Sequence, residues 1–223
     1  MKAARAISFD MDGTLYRVRR LRVAWRLRWE RGLLVALLAA REKIRHEAPL
    51  DDKDALAKRE AELVAPSFNL TIEDTLRRIR DLRAAMPAAL TLGNAPYRGV
   101  VSALEAAHVR GLKLAVLSDY DPEEKLAHLG LDHLPWAALV ATERTGALKP
   151  HPRAFVAVAS ALSLDPSEIV HVGDREDLDI EGAIAAGMRA WRFSRSGKKV
   201  TSRAERVFTE WGVTLFQSLA PGD

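Results

Sequence analysis

The sequence of 223 residues predicts an α/β fold, namely a Rossmann-like parallel sheet core with an inserted α-helical cap domain. Two observations support this class. Short apolar segments alternate with helical patterns through the C-terminal two-thirds of the chain, as in proteins built from parallel βαβ units. A helical stretch without strand patterns separates this region from one short strand near the N-terminus. We therefore expect a core domain of residues 1–15 and 93–223 and a cap domain of residues 16–92.

Five short apolar segments are predicted to form the buried strands of the sheet: Ala6–Phe9, Lys113–Leu117, Ala137–Ala141, Ile169–Val172 and Arg189–Phe193. The helices between them are indicated by a proline near the first residue or a glycine just past the last one. These predicted helices are Val100–Val109, Pro122–Leu129, Pro152–Leu162 and Asp179–Ala186.

The cap region shows the period of amphipathic helices. Leu21, Trp25 and Trp29 recur every four residues, which predicts a helix that places both tryptophans in the core of the cap. A second helix follows, and a third is predicted to begin at Thr71 and to end at Pro87, because proline disfavours a helix interior.

Seven arginines lie between Arg17 and Arg31. The first interpretation of this block is a solvated face of the cap. The second is a substrate-binding role for one or two arginines near the hinge, Arg17 or Arg20, because guanidinium groups bind anions. The third is contact with acidic lipid, nucleic acid or a partner protein.

The composition excludes several classes of function. The chain has no cysteine, which rules out disulfides, thiolate metal sites and a cysteine nucleophile. The longest suspicious apolar stretch, Leu33–Ala40, is far too short to cross a bilayer. The N-terminus has no signal-peptide pattern. We expect a cytoplasmic protein without stable membrane association and without a nucleic-acid partner.

Polar side chains follow four of the predicted strands: Asp10 and Asp12 the first, Ser118 the second, Lys149 the third and Asp174 the fourth. Ligands bind outside the carboxyl ends of the strands in such sheets, so we expect these groups to converge. Converging carboxylates repel one another unless a cation is present, and an all-oxygen set suits Mg²⁺. Lys149 and Ser118 supply positive charge and a donor for a phosphoryl group, and a carboxylate can act as a nucleophile.

In these motifs the sequence resembles the haloacid dehalogenase-like hydrolase superfamily, in particular its phosphoglycolate phosphatase-like members with a helical cap after the first motif. The four motifs are FDMDGTL at Phe9–Leu15, LS at Leu117–Ser118, LKP at Leu148–Pro150, and VGD at Val172–Asp174 with the following Asp179. Each motif alone is weak, but all four occur in order after predicted strands. The resemblance covers the chain outside the cap and the C-terminal tail.

The resemblance implies a role for each motif residue. Asp10 would be the nucleophile, and Asp12 would protonate the leaving oxygen and then activate water. Ser118 and Lys149 would hold the phosphoryl oxygens. The implied Mg²⁺ ligands and their support are Asp10, Asp12 through its main-chain carbonyl, Asp174 and Asp179.

Two residues depart from the pattern of the family. Asp119 stands where many relatives have asparagine, which would place a negative charge beside the phosphate pocket and its substrate. Arg175 stands where serine or threonine is common, and we expect it to pair with Asp177 or Asp119.

These residues predict a Mg²⁺-dependent phosphatase that hydrolyses a small phosphorylated metabolite through an aspartyl-phosphate intermediate, as a monomer or homodimer. Asp12 favours phosphoryl transfer over carbon–halogen cleavage, because the dehalogenases of this superfamily lack an acid at that position. One alternative is a phosphosugar mutase of the same superfamily, which differs in the cap. The other is a binding protein whose basic cap docks nucleic acid or anionic membrane.

Overall fold

A computed structural model of the chain describes residues 2–195 and 201–219. Within these ranges six strands form one parallel sheet with the order β3-β2-β1-β4-β5-β6. The strands are β1 (Ala6–Phe9), β2 (Lys113–Ser118), β3 (Trp136–Ala141), β4 (Ile169–Gly173), β5 (Arg189–Phe193) and β6 (Arg206–Phe208). The first five confirm the predicted strands to within one residue at each end, whereas the short edge strand β6 was not predicted.

The α-helices in the described part of the chain are α1 (Arg20–Arg26), α2 (Arg31–Ile44), α3 (Lys53–Val64), α4 (Ile72–Thr91), α5 (Val100–Val109), α6 (Pro122–Leu129), α7 (Pro152–Leu162) and α8 (Glu181–Ala185). Helices α5, α6 and α7 have the predicted bounds. None of the described helices combines the length and the apolar character needed to cross a membrane.

Helix α8 is shorter than predicted, because residues Glu176–Ile180 form a wider π-helical turn in front of it. The Asp179 carboxylate accepts a hydrogen bond from the main-chain N–H of Arg175 at 3.0 Å, and the N–H of Asp179 donates to the Arg175 carbonyl at 2.9 Å. These bonds tie the turn to the end of β4, so that Asp179 lies at the edge of the sheet.

The sheet has a layer of helices on each face. Alternate residues of a strand point to opposite faces, and in β2 Leu114 and Val116 pack in one apolar cluster while Ala115 and Leu117 pack in the other. Helices α5 and α6 cover the first face, and α7 and α8 cover the second. The buried sheet therefore holds its carboxyl edge in a fixed position.

Helices α2, α3 and α4 share a separate apolar core. The prediction that α4 ends at Pro87 is wrong, since the helix continues to Thr91. Proline removes one main-chain hydrogen bond, but Met86 and Leu90 on either side of it are buried in the apolar core that α2, α3 and α4 share. The Thr91 hydroxyl also donates to the Pro87 carbonyl at 2.6 Å. Tertiary packing therefore outweighs the local preference.

The prediction that Trp25 and Trp29 lie in the cap core is also wrong. Their side chains are 65% and 56% exposed. Helix α1 instead docks through Arg22, which donates to the Gly93 carbonyl at 2.9 Å, and Arg26, which donates to the Leu92 carbonyl at 2.8 Å. Because these arginines bind the carbonyl groups that follow α4, the tryptophans are left facing outward. The arginine block is thus only partly a solvated face.

Candidate active site

Asp10 lies directly after β1 and is almost fully buried. Its main-chain N–H donates to the Val172 carbonyl at 2.9 Å, which continues the sheet pairing by one residue. One carboxylate oxygen accepts from Lys149 Nζ at 2.7 Å and the other from Thr14 Oγ1 at 2.9 Å. Burial raises the pKa of Asp10 and Lys149 opposes this effect, with the net shift upward because further carboxylates lie close by.

Lys149 connects two of the predicted site carboxylates. Its ammonium group is buried and lies 2.7 Å from Asp10 Oδ1 and 2.9 Å from Asp179 Oδ1. Burial lowers the pKa of the lysine, but the charges of Asp10 and Asp179 outweigh this and hold it well above its usual range. Burial likewise raises the pKa of Asp179, and Lys149 and His171 reverse that effect and hold it below its usual range. The site therefore contains a permanent buried cation.

Three carboxylates form a cluster with the composition of a metal site. One carboxylate oxygen from each of Asp10, Asp174 and Asp179 lies within 4.8 Å of the others. Asp174 can approach because Gly13 has no side chain; a Cβ there would lie 2.5 Å from Asp174 Oδ2. Asp174 Oδ1 is buried and has no hydrogen-bond partner among the described residues. Burial and the charge of Asp179 raise the pKa of Asp174 to about 6.

This donor set fits a hard divalent cation. All its atoms are oxygens, and Asp174 Oδ1 is buried with no hydrogen-bond partner among the described residues. The single charge of Lys149, which contacts Asp10 and Asp179, offsets only part of the repulsion among three carboxylates. The Asp12 carboxylate is not part of the cluster, and the role of its main-chain carbonyl remains a prediction.

Asp12 faces a second buried lysine instead. Its two carboxylate oxygens accept from the hydroxyl group of Tyr16 and from Lys125 Nζ, the latter at 2.7 Å. The Lys125 ammonium also donates to Ser118 Oγ at 2.9 Å. Burial, together with the charge of Asp12, raises the pKa of Tyr16 far above its usual range, so the tyrosine remains a proton donor. Lys125 thus joins the ends of β1 and β2.

Sequence reasoning did not identify Lys125. The residue lies on α6, and its side chain is fully buried on the same helix as Leu126 and Leu129. A signal was present, because Pro122, Lys125, Leu126 and Leu129 have the spacing of one buried helix face. A lysine on such a face needs a buried partner.

Asp119 is not a free charge beside the pocket. Its carboxylate accepts from Arg45 Nη2 at 2.5 Å and from Thr142 Oγ1 at 3.1 Å. Burial raises the pKa of this carboxyl, but Arg45 and Lys149 more than compensate and lower it to about 2. Arg45 follows α2 and also donates to the Lys149 carbonyl. Asp119 therefore contacts the helical region through Arg45, and its place beside a substrate stays a prediction.

The other departure, Arg175, pairs with Asp177, one of its two expected partners. Its Nε atom lies 2.8 Å from Asp177 Oδ1, and both side chains are more than half exposed. Such a surface pair contributes little to stability.

A second contact between the helices and the core is a buried ion cluster. Arg41 on α2 donates to Glu60 on α3 at 2.8 Å and to Glu143 of the core at 2.9 Å. Arg83 on α4 also binds Glu60. The Arg41 guanidinium group lies 4.5 Å from the centre of the Tyr120 ring.

A cavity of about 1100 Å³ lies beside two of the predicted site carboxylates. Asp12, Gly13 and Asp174 line it, and so do Arg17 and Arg20 of the segment that joins β1 to the helical region. The structure thus places Arg17 and Arg20 on the same cavity as Asp12, one of the predicted catalytic residues, and Asp174, a predicted metal ligand. Ser118 and Lys149 are buried and do not line the cavity.

A family model described as haloacid dehalogenase-like hydrolase matches residues 4–187. Among curated relatives, a glyceraldehyde 3-phosphate phosphatase of Methanopyrus kandleri is 38% identical over 103 residues, which are 45% of this chain and 44% of that protein. A phosphoserine phosphatase of Thermus thermophilus is 40% identical over 90 residues, which are 39% of this chain and 36% of that protein. The chain thus spans less than half the length of these two relatives.

Solved structures agree on the fold. A HAD phosphatase from Thermococcus onnurineus has a TM-score of 0.61 at 23% identity, covering 96% of this chain and 97% of that one. A 2-haloacid dehalogenase from Pseudomonas syringae has a TM-score of 0.65 at 18% identity, covering 97% of each chain. Because phosphatases and dehalogenases both match, the fold alone does not distinguish the two reactions.

Proposed function

Because the chain belongs to the haloacid dehalogenase-like hydrolases, we propose that it is a Mg²⁺-dependent phosphatase of a small phosphorylated metabolite. The observation that carries this proposal is the pair of acids at the end of β1. Asp10 contacts Lys149, and two residues later Asp12 contacts Lys125 and Tyr16. Two carboxylates in different environments suit a nucleophile and an acid–base group.

Asp10, Asp174 and Asp179 would hold the Mg²⁺ ion, which supplies positive charge that offsets the repulsion between these carboxylates and the phosphoryl group. The four helices in residues 16–92 would act as a cap that excludes water and selects the substrate.

The residues of the chain can perform the reaction in two steps. In the first, the Asp10 carboxylate attacks phosphorus, and the bond from phosphorus to the leaving oxygen breaks as that oxygen takes a proton from Asp12. In the second, Asp12 removes a proton from water, whose oxygen attacks the phosphorus and releases phosphate and the Asp10 carboxylate. Lys149 and Ser118 bind the phosphoryl oxygens during both steps.

Lys125 would be a positioning residue in this scheme. It holds the Asp12 carboxylate and the Ser118 hydroxyl 2.7 and 2.9 Å from one ammonium group. A group restrained in this way does not have to be reoriented during the reaction.

Phosphate release from an aryl phosphate, with and without Mg²⁺, tests the proposal. We expect hydrolysis that excess chelator abolishes and that added Mg²⁺ restores. Asp10→Asn keeps the shape of the side chain but removes the nucleophile, so turnover should fall by at least ~10³-fold. Full activity in excess chelator, or a tenth of wild-type turnover in pure Asp10→Asn protein, would refute the proposal.

A further inference from the structure

The cavity in front of the catalytic carboxylates has an unusual lining. Among the residues that the structure describes, fifteen line it, and seven of these are arginines. Two of these fifteen, Asp12 and Asp174, are acidic. A cavity that collects this many guanidinium groups has a strongly positive potential, which attracts anions.

Three of these arginines already have partners within the protein. Arg22 donates to the Gly93 carbonyl, Arg175 pairs with Asp177, and Arg192 lies 3.0 Å from Glu176. Their charges are used in holding α1 and the loops at the carboxyl edge of the sheet in place.

Residues 16–20, the hinge segment, join the end of β1 to the helical region, and their arginines differ from these. Arg17, Arg19 and Arg20 all line the cavity and are exposed, and none forms an ion pair with a residue in the described ranges 2–195 and 201–219. The segment itself is fixed, because Tyr16 is fully buried and Val18 packs against two apolar clusters. One lies between the sheet and helices α5 and α6, and the other is shared by α2, α3 and α4. The protein thus presents three adjacent guanidinium groups to the cavity from an anchored segment.

The phosphoryl group that is transferred does not need these arginines. Lys149 and Ser118, the predicted ligands of its oxygens, lie at the carboxyl edge of the sheet, and both are buried. The cavity volume of about 1100 Å³ exceeds the range of roughly 300–1,000 Å³ that holds a drug-sized ligand. There is therefore room for a substrate that extends from the catalytic carboxylates toward the hinge.

We infer that the substrate carries a second anionic group, a phosphate or a carboxylate, which Arg17, Arg19 and Arg20 bind while the first phosphate is hydrolysed. This inference rests on the proposed phosphatase function and specifies its substrate class. Guanidinium groups bind both anions through paired, charge-assisted hydrogen bonds. The concave shape and the shared lining with Asp12 and Asp174 favour a small ligand with two separate anionic groups over an extended polyanion.

Matched substrate pairs test the inference. Fructose 1,6-bisphosphate and fructose 6-phosphate differ by a second phosphate, and 3-phosphoglycerate and glycerol 3-phosphate differ by a carboxylate. We expect wild-type kcat/KM to favour the second-anion member of at least one pair by about tenfold or more. The pair that shows the larger ratio identifies the anion.

The double variant Arg17→Gln/Arg20→Gln should reduce that ratio to within about threefold of one. Arg80→Gln is the matched control, because Arg80 is an exposed arginine on the outer side of α4 and does not line the cavity. The control should keep the wild-type ratio, and all three proteins should show the same thermal unfolding midpoint.

A kcat/KM ratio near one for both pairs in the wild type overturns the inference, and so does an unchanged ratio in the double variant. In either case metal-dependent hydrolysis of the aryl phosphate leaves the proposed function intact. If no phosphate is hydrolysed, the proposed function fails. Calorimetric titration of the Mg²⁺-loaded protein with both pairs then decides the inference, which requires the second-anion member of at least one pair to bind about tenfold more tightly than its partner. Equal binding within both pairs overturns it.

Discussion

The carboxyl edge of the sheet and the hinge segment both carry dense charge, but they arrange it differently. At the sheet edge each lysine is buried between named partners, Lys149 between two aspartates and Lys125 between Asp12 and Ser118. At the hinge, Arg17 and Arg20 are exposed to the cavity. A buried charge requires a partner and so has a fixed position, whereas an exposed charge can adapt to a ligand. The fixed charges at the sheet edge are therefore suited to catalysis, and the exposed arginines are suited to substrate selection.

The largest expected effect of breaking a buried network is on stability. Glu60→Gln removes the buried carboxylate that Arg41 and Arg83 share, so we expect the free energy of unfolding to fall by about 3–5 kcal/mol. Urea denaturation measures this change. Glu62→Gln on the same helix is the control, because Glu62 is exposed and should shift the value by no more than ~0.5 kcal/mol. Equal effects of the two variants would contradict the account of this cluster.

Replacing Lys125 sharpens the comparison at the active site. Lys125→Met keeps most of the side-chain volume but removes the ammonium group that orients Asp12 and Ser118, so we expect kcat to fall by about 10- to 100-fold. KM should change by less than about threefold. The unfolding midpoint should fall, because Asp12 and the buried Ser118 lose their shared partner, so the kinetics are measured well below that midpoint. Steady-state kinetics and thermal unfolding measure these quantities.

Lys58→Met on α3 is the matched control for this variant, because Lys58 is exposed and does not line the cavity. It should leave kcat and KM unchanged. If Lys125→Met retained full kcat, or if it lost activity only through unfolding, Lys125 would have no positioning role.

Local sequence patterns predicted the sheet and the residues at its edge for a physical reason. Buried parallel strands are short apolar runs, and α5, α6 and α7 carry clear terminal signals, so their bounds follow from local chemistry. The position of polar residues at or directly after the last residue of β1, β2 and β4 then places Asp10, Ser118 and Asp174 at one edge of the sheet. The three-residue strand β6 carries too few residues to produce such a pattern.

Features that depend on tertiary contacts were not predicted. The period of Leu21, Trp25 and Trp29 gives the spacing of a helix but not the face that docks, which the hydrogen bonds of Arg22 and Arg26 decide. Pro87 remains inside α4 because the surrounding side chains are buried. Lys125 contacts Asp12, which lies 113 positions away in the sequence, and no local pattern reports such a pairing.

The central claim is that Asp10 transfers the phosphoryl group through a covalent intermediate. The most direct test is rapid acid quenching of the Mg²⁺-loaded protein after mixing with a ³²P-labelled aryl phosphate, followed by mapping of the labelled peptide. The account predicts a label on the peptide that contains Asp10, released by neutral hydroxylamine as expected for an acyl phosphate, and no label on Asp10→Asn protein. Steady turnover with no labelled peptide in the pre-steady-state phase, or a label on a different residue, would contradict it.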